Sequence, residues 1–239
     1  MNTDAEPRQA GTGPGEGAAQ EVSMPPLAEL VKMLREFEAR LEALPDEIDP
    51  SWLDRVFAED EHAAWQREVQ AVRRAALLRR SLRLQSVPPD AFAGKANRMA
   101  LLERETLWKV LAARALFARR GALRKCIDRA VIEPLRGVVG GAALDTLRSA
   151  CAESGAADRR EPRLPPGCPS SAAWALSGYA SFERAGVWGD ASLRTMIRVS
   201  LPAAAPPDMP PAADAAVAED QEFVQILPKL YPELTWLFG

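Results

Sequence analysis

The feature that most constrains this chain is the spacing of its large apolar side chains. Leu27, Leu30, Leu34, Phe37, Leu41 and Leu44 follow one another at steps of three and four, which places all six along one narrow seam of an α-helix. Glu29, Lys32, Arg35, Glu36, Glu38 and Arg40 fill the outside of that helix. The seam is too short for a self-standing coiled coil, so it reads either as one helix packed on its own domain or as a docking helix for a partner.

The same period returns along the chain. Asp49-Pro50 is a helix start, with Asp as N-cap and Pro at the first helical position, and Trp52, Leu53, Val56 and Phe57 give the segment one buried face. Trp65, Val69, Val72 and Ala76 carry the pattern on to about Leu84, where "SVPPD" breaks it. Arg73, Arg74, Arg79, Arg80 and Arg83 then form a solvated side. Asn97 is placed to cap a helix whose Leu101, Leu102, Leu107, Trp108, Val110, Leu111, Leu116 and Phe117 surround most of its circumference, the mark of a central helix. Gly121 ends or kinks it.

From Gly121 an amphipathic stretch follows, with Leu123, Cys126, Ile127, Ala130, Val131 and Leu135 on one arc and Lys125, Arg129 and Arg136 opposite. Helices then run to about Cys151 and from 170 to 184, and 190–200 reads as a helix or, being short and partly β-branched, as a strand. The fold class expected is all-α, a single irregular bundle of seven to nine helices, with Trp108, Leu111, Leu123, Ile127 and Val131 in the core.

Residues 1–23 have almost nothing to bury and read as a flexible tail; 24–200 form the helical domain. Residues 154–169 are a Pro-rich loop, and "LPAAAPPDMPPAAD" at 201–214 is a linker of polyproline character. Residues 215–239 return to dense apolar content, so Trp236, Leu237 and Phe238 must be buried either on this domain or on a partner.

Charge is unevenly distributed. Residues 1–66 carry 5 basic and 15 acidic side chains, 67–136 carry 17 and 6, and 137–239 carry 8 and 12. A basic middle between acidic flanks attracts phosphates or an acidic partner, or is neutralised by the chain's own acids. The question concentrates in "FARRGALRKCIDRAVIEPLRG", 117–137, with six cationic side chains. Lys125, Arg129 and Arg136, with Arg119, Arg120 and Arg124 around the helix junction, are expected to form an exposed ridge for protein docking; the competing reading packs the ridge beside acids of 36–61.

Reactive chemistry has little to start from. Cys126, Cys151 and Cys168 are odd in number and far apart, which suits unpaired thiols in a reducing cytosol better than a disulfide framework or zinc. His62, the sole histidine, lies in "EDEHAAW" on an acidic helix surface. Gly137, Gly140 and Gly141 have no preceding strand and no Gly-Lys-Ser/Thr, so they do not make a phosphate loop. No catalytic residue, metal or cofactor is expected. The N-terminus lacks the apolar core of a secretory signal, and no apolar run approaches the roughly 20 residues of a membrane span, so a cytoplasmic location is expected. A nucleic-acid binder using the basic 67–136 segment is the alternative function, weakened by few aromatics and no helix-turn-helix or RNA-binding signature.

"LWKVLAARALFARRGALRKCIDRAVIEPLRGVVGGAALDTLR", 107–148, together with the terminal "LPKLYPELTWLFG", resembles the SctK accessory proteins of bacterial type III secretion systems, in particular the Hrp branch. The likeness lies in the apolar helix, the "RRGALRKCIDR" core and the Pro-Glu-Leu-x-Trp-Leu-Phe ending. It implies a non-enzymatic cytoplasmic adaptor of the sorting platform at the inner membrane. Its partners would be the SctQ pod protein and the cytoplasmic domain of the inner-membrane ring, and no small-molecule substrate is implied. With the basic ridge, Trp236 and Phe238 are the candidate partner-binding residues.

Overall fold

The computed structural model describes residues 24–150, 163–165, 167, 169–204 and 217–239. The expected tail at 1–23, Cys151, Cys168 and most of the 154–169 loop and the 201–214 linker lie outside the described residues. Among the described residues every regular element is helical: α1 (Leu27–Glu42), α2 (Leu44–Glu47), α3 (Leu53–Val56), α4 (Glu59–Arg67), α5 (Ala71–Ser81), α6 (Arg104–Phe117), α7 (Arg120–Lys125), α8 (Arg129–Val139), α9 (Gly141–Ala150), α10 (Ser171–Ala185), α11 (Ala191–Val199), α12 (Val217–Leu230) and α13 (Thr235–Phe238), with 3-10 turns between them. The chain is all-α, as its apolar spacing dictates. Nine of these helices have nine or more residues; α2, α3, α7 and α13, of four to six residues, are too short for periodicity to resolve. The 190–200 stretch is helix α11, capped by Asp190, whose carboxylate accepts from Leu193 N at 2.9 Å.

α6 is the axis of the fold. Leu107, Val110, Leu111 and every residue from Ala112 to Phe117 are buried, so from Val110 onward the helix is covered all round, while Glu105 and Lys109 keep one side of its first half in solvent. α10 makes the most extensive contact with it. That contact is close because Gly178 faces it: a Cβ there would lie 1.8 Å from the Leu111 carbonyl oxygen. Trp174, Phe182 and Trp188 join Phe117 and Phe223 in the surrounding aromatic packing.

A second, smaller core holds Leu44, Ile48, Phe57, Trp65, Leu78 and Val199 under α2–α5. It is tied to the main body by bonds that cross the sequence, the backbone bond from Asp49 N to Val199 O at 2.8 Å and the indole bond from Trp52 Nε1 to Leu201 O at 2.7 Å. The N-terminal acids pair here with Arg40 and Arg104, through Glu47 at 2.7 Å and Asp49 at 2.5 Å. His62 stacks on Phe57 and sits 3.0 Å from Asp54, a packed surface ring.

The structure corrects several details of side-chain facing. Of the five expected core residues Leu111 and Leu123 are buried, Trp108 and Val131 are half-buried, and Ile127 is 94% exposed. The helix through 121–137 is not continuous: α7 stops at Lys125, Asp128 caps α8 by accepting from Ala130 N at 2.9 Å, and the phase restarts there. Ile132, Leu135 and Val139 carry the buried face instead. A break between α4 and α5 does the same to Val69 and Val72, which point to solvent while Ala75 and Leu78 are buried. Asn97 is not a cap. It is buried in a 3-10 turn, donating to Ala91 O at 2.7 Å, and the residue before α6 is Glu103.

Candidate interaction surface

The cations of 119–136 fall into two groups. Arg119 is interior, with Nη1 donating to Ala115 O at 2.8 Å and the guanidinium 5.6 Å from the Trp174 ring. Burial, then the charges of Arg114 and Arg184, press its pKa below the usual value. It cannot present itself to a partner without unfolding the region, which corrects its place in the expected ridge. Arg120 turns inward too, bonding Glu219 at 3.1 Å and Glu222 at 3.5 Å and lying 4.2 Å over Phe117.

These contacts belong to a larger clasp. Arg114 from the last turn of α6, fully buried, bonds Asp220, also fully buried, and reaches Glu219 at 3.4 Å. Burial raises the Asp220 pKa, opposed by the attraction of Arg114. The arginines of α6 and α7 thus neutralise the acidic first turn of α12, about a hundred residues away in sequence, and not the acids of 36–61 that the competing reading set beside the ridge. An Arg120→Glu reversal, which puts a third carboxylate beside Glu219 and Glu222, should cost about 1 kcal/mol. Thermal unfolding would register this as a Tm lower by about 2–4 °C.

The outer group is Arg124, Lys125 and Arg129, all exposed, and half-exposed Arg136. Arg136 pairs with Asp145 of α9 at 3.1 Å. Because the α7–α8 joint interrupts the helix, Lys125, Arg129 and Arg136 do not share one helical face. Lys125 and Arg129 flank instead a corner from which Ile127 projects, an apolar side chain that periodicity had assigned to the core.

The C-terminal segment packs in cis. Tyr231 places its hydroxyl between the carbonyls of Lys109 and Val139, at 3.2 and 3.1 Å. Arg98 donates to Leu237 O at 2.7 Å and Lys95 to Phe238 O at 2.9 Å. Phe238 is fully buried, so it is a core residue and not an accessible partner contact. Trp236 is half-buried beneath the Lys32 ammonium, 3.8 Å from its ring centroid.

Among the described residues no group of three or more His, Cys, Asp or Glu side chains is placed to hold a metal ion, and no helix is long and apolar enough to cross a membrane. What the geometry does define is a helical body with cationic corners and an internally clasped C-terminal segment. The chain belongs to the bacterial type III secretion protein (HrpB4) family, whose model matches residues 26–233. The match takes in the smaller core, the clasp, the basic corner and all of the main core but Leu234, Leu237 and Phe238. No curated protein and no solved structure matches the chain.

Proposed function

We propose that this type III secretion protein is an SctK-like adaptor of the sorting platform. In this reading it works without catalysis on the cytoplasmic side of the inner membrane, joining the cytoplasmic domain of the ring to an SctQ-like pod protein. The family match across 26–233 is the observation that carries the reading. The body suits the task in that helices with opposite local charge offer separate surfaces to separate partners. The corner of Lys125, Ile127 and Arg129 is one docking candidate; Arg119 and Phe238 serve the body that presents it.

The test is a pull-down of the tagged full chain from cells assembling a secretion apparatus. Recovery of pod-like or ring components is the expected result. Tight binding to labelled DNA and RNA that falls steeply between low and high salt, with neither component recovered, would replace the adaptor by the nucleic-acid reading.

A further inference from the structure

We propose that the outward face of α5 is a docking site for an acidic amphipathic helix of another protein. Its inward side is Ala75 and Leu78. Its outward side carries Val72, Ala76 and Arg79 at steps of four and three, with Arg80 four residues on from Ala76 and Arg83 continuing past the helix. Val72 is 74% and Val69 91% exposed. Between Val69 and Arg83 there is no acidic residue. Arg73 is 3.8 Å from Glu68, but among the described residues no carboxylate pairs with Arg79, Arg80 or Arg83. This contrasts with Arg40, Arg104, Arg114, Arg120 and Arg136, each of which meets an acid within the fold.

Arg83 adds an independent sign. Its φ is 54°, the left-handed region. Leu84 N bonds Arg79 O at 2.9 Å and Arg83 N bonds Arg80 O at 3.0 Å, the paired closing bonds of a Schellman motif in which Arg83 takes the position where glycine is free of strain. Asp190, which lines a shallow cleft together with Arg83, is occupied in capping α11. The turn gains nothing from an arginine, whose guanidinium is left to meet a group outside the fold.

The chemistry selects the occupant. Guanidinium groups separated by short apolar side chains at helical spacing match a helix whose carboxylates recur every three to four residues around a small apolar stripe, with bidentate pairing available at each. The helical face is about 16 Å long, three turns of a partner helix. The face has no aromatic side chain on which bases would stack, and none of the Trp, Phe or Leu insertion that holds an interfacial helix in a bilayer, since Leu77 lies at its edge. The site does not depend on the adaptor reading.

A photocrosslinker at position 72 of the full chain, in cells assembling the apparatus, tests it, with position 225, exposed on α12, as control. The expected adduct is a protein segment with carboxylates at helical spacing. Its yield should fall about tenfold in Arg79→Glu/Arg80→Glu with Tm unchanged. Arg83→Gly should lower the yield two- to threefold, as a rough figure for one rim charge, while leaving Tm at or above the starting value. An acidic segment from outside the secretion apparatus would keep this site and leave the adaptor reading to the pull-down. The proposal is overturned by yields no higher than at position 225, by adducts that are lipid, nucleic acid or a segment without carboxylates, by yields indifferent to the reversal, or by a lowered Tm in the double variant.

Discussion

Gly178→Ala should cost the fold about 3 kcal/mol, the upper end of what overpacking usually costs. The added methyl would sit 1.8 Å from the Leu111 carbonyl oxygen and 2.6 Å from its carbon. Both are backbone atoms of the stretch of α6 in which every residue from Val110 to Phe117 is buried, so the helix has no open side there toward which to move. Relief requires α10 to slide or lift, and with it Trp174 and Phe182. In a chain of this size the loss corresponds to a Tm lower by about 6–12 °C. Gly137→Ala is the matched control. It lies inside α8 with nothing within 4 Å of its would-be Cβ, so alanine should stabilise by about 0.5–1 kcal/mol. A Gly178→Ala protein that melts with the wild type would mean that α6 and α10 do not approach as described.

Arg114→Met should cost about 3–5 kcal/mol near neutral pH, because it strands the buried carboxylate of Asp220. Arg114→Met with Asp220→Leu should recover most of that loss, since an apolar pair of similar volume carries no desolvation penalty. The cost of the single variant should also depend on pH. Burial holds the Asp220 pKa above its unfolded value of 3.8 even with Arg114 present, and removing Arg114 takes away the opposing attraction and raises it further. A carboxyl with a raised native pKa lends its full stability below the unfolded pKa and loses it as pH rises through the native one. The gap between wild type and Arg114→Met should therefore widen as pH rises past the wild-type native pKa of Asp220, which lies above 3.8, toward the still higher one of the variant. Denaturant unfolding at several pH values measures it, and a gap that narrows with rising pH would contradict the ion-pair account.

The helical class, the central position of α6 and the burial of the chain's last apolar residues were legible because each rests on the local apolar spacing of Leu107 through Phe117 or on Trp236-Leu237-Phe238. Facing was lost at two joints, 126–128 and 68–70, where a helix stops without proline or glycine and the next begins in a different phase. At the first, Asp128 was a readable signal, an N-cap residue just before Arg129 and Ala130. The second has no side-chain cap, so nothing local marked that Val69 and Val72 would face outward beside Arg79 and Arg80. Pairings such as Arg114 with Asp220 lie beyond any local pattern, being fixed by where α12 settles. For the same reason Arg119 and Arg120 resembled surface charge in sequence, although Arg119 is interior and Arg120 holds the clasp.

The most direct measurement of the adaptor account is a two-step purification from cells assembling the apparatus, first through a tag on this chain and then through a tag on the pod protein. A bridge predicts that the cytoplasmic domain of the inner-membrane ring survives both steps in one complex, and that it is lost from the second when this chain is deleted. Ring and pod that copurify equally well without this chain would contradict it.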